Sequence, residues 1–350
     1  MKLTINQAFL DRPENISNDD KLLQRISKSY RYAKSEQLKA KSCYQVGNEW
    51  LPIYEKYMGS IIQALTHQDM PELKRQYRNF FREQLSTGLH GLHFEMVEKY
   101  MTPSRGIAKA DLETYVNCIM HNFNMFLKGS PQFDISRLVR KSIGNPYGFE
   151  VDNNFIDFGS EYQYHYSRQI KNLLIGTQNP VVLELGGGYG GMAYYLLRDF
   201  PQATYIGYDL PENAALQAYY LLSAFPEKNI ILSGEVDLLG LNTQNVDAMI
   251  LSNFEMETLQ ENSVDYSFNS YSLAEMEFDA IENYLKIICK STRKYINHLN
   301  HSVFAKLSAD DFPIDLKKFE LIFRFPMMWG KFSGRNPTID EHEYIYRNIN

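Results

Sequence analysis

Residues 181–197, with the sequence VVLELGGGYGGMAYYLL, constrain the fold more than any other part of the chain. An apolar run typical of a buried strand passes through a cluster of glycines into an apolar run typical of a helix. Glycine is needed where a turn is tight or where a ligand approaches the backbone, because a Cβ atom would block both. The helix that follows offers unpaired N–H groups at its N-terminus. The segment therefore predicts a strand, a ligand-binding glycine loop and a helix.

The chain from residue 141 to residue 350 alternates between strand-like and helix-like runs. The predicted strands are 181–185, 203–210, 230–232, 248–252, 264–269 and 295–299, and the predicted helices are 162–174, 189–199 and 212–224. Short buried strands that alternate with helices form a parallel sheet with both faces covered. The fold class predicted for 141–350 is therefore α/β, a doubly wound, Rossmann-like domain.

Residues 1–140 show helical patterns instead. In TYVNCIMHNFNMFLK, apolar residues recur at helical spacing, namely Tyr115, Ile119, Phe123, Phe126 and Leu127. This half is predicted to be an α-helical N-terminal domain that forms a lid and part of an acceptor pocket. The turn-rich segment SIGNPYGFEVDNN, from Ser142 to Asn154, indicates the junction between the halves.

Composition excludes several classes of protein. The 350 residues carry a formal net charge of -6, which argues against a nucleic-acid partner. Three cysteines, Cys43, Cys118 and Cys289, are too few and too scattered for a disulfide framework or a zinc cluster. The first residues lack the apolar segment of a signal peptide, and no apolar run reaches membrane-spanning length. We expect a cytoplasmic protein with no membrane partner, and leave homo-oligomerisation open.

Glu184, two residues before the first glycine, helps to choose the ligand. The loop satisfies both G-x-G-x-x-G and G-x-G-x-G, so glycine spacing alone does not separate a dinucleotide from other cofactors. A carboxylate is a poor neighbour for a pyrophosphate, whereas a cationic ligand such as S-adenosylmethionine tolerates it. Asp209, at the end of the next predicted strand, is placed to accept hydrogen bonds from ribose hydroxyls. The alternatives are a loop that binds nothing and, for Asp209, a helix cap.

The motifs resemble those of class I S-adenosylmethionine-dependent methyltransferases. ELGGGYGG followed by YDLPE resembles their first motif and its successor, and ETLQENSVDYSFNSYSLAEM resembles the segment around their fourth strand. More narrowly, ELGGGYGGMAYYLL, DLPENAALQAYYL, FNSYSLAEM and SIGNP look like a group of sugar O-methyltransferases. The resemblance covers roughly residues 140 to 300.

The resemblance implies a set of cofactor-binding residues. The loop glycines and Glu184 would surround the methionine portion, Asp209 would bind the ribose, and Leu210 would lie beside the adenine. For the adenine contacts, Asn253 and Phe254 are preferred to the alternative Ser233 to Glu235, and Asn269 would support the cofactor. Tyr164, or His165 beside it, would cover the site from the preceding helix. The complete cofactor set is Glu184, Gly186, Gly187, Gly188, Gly190, Asp209, Leu210, Asn253, Phe254, Asn269 and Tyr164.

Three residues are candidate bases for methyl transfer, since an alcohol nucleophile benefits from a group that accepts its proton. Glu275 follows the fourth core strand, and His298 and His301 follow the fifth. The alternatives are a helix-stabilising carboxylate for Glu275 and structural histidines. The histidine spacing gives no metal signature, so no metal is predicted. The basic series Lys74, Arg75, Arg78 and Arg82 is read as a solvated helix face, unless the acceptor is phosphorylated.

The sequence thus predicts an S-adenosylmethionine-dependent O-methyltransferase. Its expected acceptor is a sugar-like small molecule: a hydroxyl of a sugar, a nucleotide sugar or a glycosylated compound. Two alternatives stay open at this stage. One is a protein that binds the cofactor without catalysis, and the other is a nicotinamide-dependent oxidoreductase.

Overall fold

A computed structural model describes residues 3–4, 19–89, 121, 123–239, 245–303, 305–327 and 340–350. The predicted stripe residues Tyr115 and Ile119, and Cys118, lie outside these ranges. Among the described residues, Cys43 and Cys289 are free thiols. None of the described helices is long and apolar enough to cross a membrane.

An eight-stranded sheet forms the centre of the C-terminal half. Its strands are β4 (Val181–Leu185), β5 (Thr204–Asp209), β6 (Ile230–Leu232), β7 (Ala248–Ser252), β8 (Val264–Ser270), β9 (Thr292–His301), β10 (Phe319–Pro326) and β11 (Glu341–Asn348). Their order from edge to edge is β10-β11-β9-β8-β4-β5-β7-β6. All neighbours from β6 to β9 run parallel, and only β11 pairs antiparallel with β9 and β10.

The chain winds in two directions from β4, which explains where a ligand can enter. Strands β5, β7 and β6 extend the sheet on one side of β4, and β8 and β9 extend it on the other. Helices α6 (Gly191–Asp199), α7 (Pro211–Ala224) and α8 (Phe278–Ser291) are the crossovers, and α5 (Ser160–Leu173) precedes β4. In such sheets a crevice opens at the carboxyl ends of the strands where the order reverses. The predicted α/β fold, doubly wound and Rossmann-like, is confirmed.

The predicted junction contains a small second sheet. Strands β2 (Gly148–Val151) and β3 (Asn154–Asp157) form an antiparallel hairpin, and β1 (Leu3–Thr4) pairs with β2. Asp152 and Asn153 close the hairpin with positive φ angles of 48° and 66°, a conformation that these short polar side chains tolerate. The C-terminal part of the turn-rich segment Ser142 to Asn154 therefore belongs to a hairpin.

The N-terminal helices pack against the sheet domain. They are α1 (Asp19–Gln37), α2 (Leu51–Ile53), which continues as a π-helical turn Tyr54–Met58, α3 (Gly59–His67) and α4 (Met70–Tyr77), and residues 123–129 are also helical. The Tyr77 ring stacks on Tyr219 of α7 at 4.9 Å, and Arg25 of α1 pairs with Glu235 at 2.6 Å. Buried apolar residues from these helices and from α5, α6 and α7 belong to one continuous cluster. The division at residue 140 stays a prediction.

Candidate functional site

A cavity of about 540 Å³ lies at the carboxyl ends of the central strands. Its walls come from the glycine loop after β4, the ends of β5, β7 and β8, the start of α5, and residues 42–50 of the N-terminal half. A volume of this size accommodates a small ligand or cofactor. The strand order therefore places the predicted loop at a ligand-sized site.

The glycine loop follows β4 in a conformation that needs glycine. Gly188 and Gly190 have φ angles of 56° and 91°. A Cβ atom on Gly187 would lie 2.6 Å from Nε2 of Gln217 and 2.9 Å from Oε2 of Glu184. Gly186, Gly187 and Gly188 line the cavity with backbone, and Gly190, which precedes α6, does not line it. The loop thus exposes backbone to the cavity, and binding of a ligand by this backbone stays a prediction.

Glu184 is buried in the cavity wall directly behind this loop. The hydroxyl of Tyr205 donates to its Oε2 at 2.6 Å, and Gln217 donates in turn to that hydroxyl at 2.9 Å. Burial raises the pKa of Glu184 to about 7, which the hydrogen bond from Tyr205 partly opposes. A cation bound beside this carboxyl would favour its ionised form. The site is electrostatically suited to a cationic ligand.

Asp209 joins the end of β5 to the glycine loop. The backbone N–H of Gly188 donates to its Oδ2 at 3.0 Å, and Leu210 N–H and the Asn213 amide donate to Oδ1 at 2.8 and 2.9 Å. Burial raises its pKa to about 6, against these hydrogen bonds. Asp209 and Leu210 both line the cavity. The carboxylate is held rigidly where the sequence places the ribose-binding group.

The structure brings Asn253 to the cavity but not Phe254. The Asn253 amide donates to the Tyr44 carbonyl at 3.0 Å and to the Tyr284 hydroxyl at 2.8 Å, so it also fastens the N-terminal half to the sheet. Phe254 packs instead against the buried apolar cluster that includes Leu183 of β4 and Ile206 of β5. The alternative segment, Ser233 to Glu235, does not line the cavity.

Asn269 and Tyr164 lie outside the cavity wall. The Asn269 amide donates to the Leu185 carbonyl at 2.9 Å and to Ser272, so it braces the end of β4 from behind. Tyr164 is buried against the rings of Phe133 and Tyr195. The prediction that Tyr164 contacts the cavity is wrong. Tyr162 and Tyr166 line the cavity, and Tyr164, two positions from each along the helix, points in a different direction.

The residues on α5 that do line the cavity are Glu161, Tyr162, Gln163 and Tyr166. The Tyr162 hydroxyl bonds to Ser270 at the end of β8, and the Tyr166 ring lies 5.4 Å from that of Phe268. Tyr271, Met327 and Trp50 also contribute to the wall. None of these residues was predicted. For the residues on α5, the signal was the aromatic run EYQYHYSRQ at positions 161–169, of which Tyr164 and His165 were predicted to contact the cofactor instead of their neighbours.

Of the three candidate bases, the structure places Glu275 in the cavity wall. Its Oε2 accepts a hydrogen bond from Trp50 Nε1 at 3.0 Å. Neither His298 nor His301 is among the described residues that line the cavity. His298 is stacked on Tyr344 at 4.6 Å in the interior, and burial lowers its pKa to about 3. The expected placement of both histidines beside the cavity is therefore corrected.

His301 belongs to a separate polar group. Its Nδ1 lies 2.8 Å from Oδ2 of Asp340, and its ring lies 5.4 Å from that of Tyr271. One ligand atom from each of His301, Asp340 and Glu341 lies within 4.8 Å of the others, an arrangement that a divalent cation accepts. The sequence missed this grouping because 39 residues separate His301 from Asp340.

Two halves of the cavity can be named from these contacts. The glycine-loop half is lined by Glu184 on β4, the glycines that follow β4, Asp209 at the end of β5, and Asn253 directly after β7. The β8 half is lined by Glu161, Tyr162 and Tyr166 of α5, by Tyr271 directly after β8, and by Met327, which follows β10 and accepts a hydrogen bond from the Tyr271 hydroxyl. Because β8 pairs with β4 on the side away from β5, the halves are adjacent. One ligand in each half would lie beside the other.

The sheet order and the cavity define a doubly wound α/β protein with a ligand-sized cavity at the point where the strand order reverses. The chain matches no protein-family profile and no curated protein.

Several solved structures match part of the chain. Mitomycin 7-O-methyltransferase MmcR matches with a TM-score of 0.37 and 14% identity, over 54% of this chain and 55% of that chain. Geranyl diphosphate C-methyltransferase from Streptomyces coelicolor A3(2) matches with 0.37 and 10%, over 53% and 76%. Magnesium protoporphyrin IX methyltransferase from Synechocystis PCC 6803 matches with 0.35 and 13%, over 53% and 79%. This chain thus spans about half the length of the mitomycin enzyme, and likenesses at this level carry no information about its reaction.

Proposed function

We propose that the chain is an S-adenosylmethionine-dependent methyltransferase that acts on a hydroxyl of a small molecule. One observation carries the proposal. A glycine loop, a buried carboxylate behind it and a second carboxylate at the end of the next strand, Glu184 and Asp209, face one cavity. Burial raises the pKa of Glu184, and positive charge on a ligand would favour its ionised form, whereas a pyrophosphate would be repelled by that form.

The glycine-loop half has the groups that would hold the cofactor. Gly187 and Gly188 leave the space that a Cβ would fill, Glu184 would neutralise the ammonium group, and Asp209 would accept from the ribose. Asn253 would lie at the adenine end. When bound, S-adenosylmethionine supplies an electrophilic methyl group.

The β8 half would hold the acceptor beside the cofactor, since methyl transfer depends on holding the two reactants in line. Glu275 would accept the hydroxyl proton from its position in the wall, where Trp50 Nε1 fixes one of its oxygens. Residues 42–50, which cover the cavity, would exclude water. The sugar-like class of acceptor rests on the sequence resemblance described above, and a cytoplasmic location and homo-oligomerisation remain predictions.

Calorimetry with S-adenosylmethionine and S-adenosylhomocysteine tests the proposal. We expect the wild-type chain to bind both and Gly188→Arg to bind neither. An arginine at this position would have to adopt a φ angle of 56°, and its Cβ would lie 3.0 Å from the Leu89 carbonyl oxygen. Gly129→Arg is the matched control, since Gly129 is exposed and a Cβ there meets no atom within 4 Å.

The folded state of both variants is checked by thermal melting. Absence of binding by the wild-type chain contradicts the proposal. Bound dinucleotide absorbance in the purified protein would instead favour an oxidoreductase.

A further inference from the structure

The cavity wall is acidic. Among the described residues, those that line it include six carboxylates and no lysine, arginine or histidine. They are Glu161, Glu184, Asp209, Glu275, Glu277 and Asp279. Charges of one sign in a cleft repel ligands of the same sign and raise the local concentration of opposite ones. Where they are ionised, the carboxylates in the described part of this wall would repel a phosphate group and attract a cationic one.

Four of these carboxylates have partners or an assigned ligand. Glu184 and Asp209 belong to the proposed cofactor site, and Glu275 accepts from Trp50. Glu277, at the rim, accepts from Asn48 at 2.8 Å and pairs with Lys306. Asp279 is exposed to solvent.

Glu161 differs from all of them. It is 4% exposed, lines the cavity from the first turn of α5, and its Oε2 has no hydrogen-bond partner. Burial raises the pKa of Glu161 to about 7, and the guanidinium of Arg140 opposes this without offsetting it. Arg140 is itself engaged by Asp157 at 3.1 Å and by Gln163 at 2.5 Å. A buried carboxylate in this situation gains most from a cationic partner.

The surroundings of Glu161 suit an organic ammonium group. Tyr162, Tyr166 and Tyr271 line the same cavity as Glu161, with Met327 beside Tyr271. Aromatic faces attract cations, and a carboxylate completes the charge balance. The cavity wall therefore combines a buried carboxylate, one of whose oxygens has no hydrogen-bond partner, with aromatic side chains.

We propose that the acceptor carries a protonated amine as well as the hydroxyl, and that Glu161 binds that amine. This inference rests on the proposed methyltransferase function and narrows its acceptor class. It favours an aminosugar or another hydroxylated amine over sugar phosphates and nucleotide sugars. The amine would also orient the hydroxyl, since one charged contact fixes one end of a small ligand.

Binding to the protein saturated with S-adenosylhomocysteine tests the inference with matched probes. Glucosamine, galactosamine and mannosamine are compared with their N-acetyl forms, which lack the charge, and with the corresponding hexose 6-phosphates. Titration followed by ligand-observed NMR should give at least one amine a Kd about tenfold or more below that of its N-acetyl form, and no binding of the phosphates.

The Glu161→Gln variant identifies the residue. It keeps the size of the side chain and removes the charge, so the preference for the amine should fall about tenfold while the Kd of S-adenosylhomocysteine stays unchanged. Glu227→Gln, the same change at an exposed residue in the turn after α7, is the control.

Several results would overturn the inference: binding of a phosphate, equal affinity for an amine and its N-acetyl form, or no amine binding while S-adenosylhomocysteine binds. Loss of S-adenosylhomocysteine binding in Glu161→Gln alone would assign Glu161 to the cofactor and also overturn it. Failure of wild type to bind S-adenosylhomocysteine would contradict the proposed function instead.

Discussion

The two halves of the cavity differ in how far their polar groups are already bonded within the protein. In the glycine-loop half, Asp209 accepts three hydrogen bonds and Glu184 accepts one. In the β8 half, aromatic side chains such as Tyr162 line the same cavity as Glu161, one of whose oxygens has no such partner. Groups that hold one another are arranged before a ligand arrives, whereas an open carboxylate depends on the ligand. We infer that the first half supplies cofactor affinity and the second supplies selectivity.

The largest expected effect concerns Glu275, the proposed base. Glu275→Gln should lower kcat by a factor of about 10² to 10⁴, because it removes the proposed base, and should leave the Kd of S-adenosylhomocysteine unchanged. The measurement is production of S-adenosylhomocysteine with the acceptor that the binding comparison identifies.

The matched variant is His301→Gln, for which we expect kcat to change only a few-fold because His301 does not line the cavity among the described residues. Loss of turnover in His301→Gln with retention in Glu275→Gln would move the base to the end of β9.

A smaller expected effect concerns the protonation of Glu184 in the glycine-loop half. The pKa of Glu184 is about 7 before a ligand binds, and a bound ammonium would lower it, so binding of S-adenosylmethionine should release a proton near neutral pH. Affinity should therefore rise about tenfold from pH 6 to pH 8. Calorimetry in buffers of different ionisation enthalpy measures the proton release, and Glu184→Gln should abolish the part that comes from this carboxyl. Unchanged proton release in that variant would contradict the assignment.

The same carboxyl is expected to cost stability. Its folded pKa lies above the ordinary 4.5, so the ionised form destabilises the fold above pH 7 and this penalty disappears as the pH falls below 4.5. Glu184→Gln should raise the free energy of unfolding by about 1–3 kcal/mol at pH 8 and leave it nearly unchanged at pH 4. Denaturant titration at both pH values measures it, and destabilisation at pH 8 would contradict the account.

The smallest expected effect compares two tyrosines on α5. Tyr162→Phe removes a hydroxyl that bonds to Ser270 in the cavity wall and should weaken acceptor binding by about 0.5–1.5 kcal/mol. Tyr164→Phe, buried behind the wall, should leave acceptor binding unchanged. Equal effects of the two substitutions on the acceptor Kd would contradict the assignment of Tyr162, and not Tyr164, to the wall of the β8 half.

What the sequence predicts well is local. The strand, glycine loop and helix from Val181 to Asp199 are contiguous, and backbone conformation there depends on the glycines themselves. Helix α5 was predicted over 162–174 and occupies Ser160–Leu173, yet the wrong face was chosen, because aromatic residues occur on several sides of it.

The β8 half could not be predicted in the same way. Its wall joins residues as distant as Trp50 and Met327, and only tertiary packing brings them together. On β9, residues 296 to 300 are all buried, so no alternation indicates that His298 points away from the cavity. Strand β11, EHEYIYRN, was missed because its many polar residues do not resemble the apolar run of a buried strand. It nevertheless lies between β9 and β10 in the sheet.

The hydrogen bond from Trp50 to Glu275 has a practical consequence. The chain has two tryptophans, and this one lies in the cavity wall with its indole N–H on the proposed base. Indole emission depends on the polarity and charge around the ring, so filling the cavity should change the intrinsic fluorescence of the protein. Replacing Trp329 with phenylalanine would leave Trp50 as a single optical reporter of ligand occupancy, without any added label.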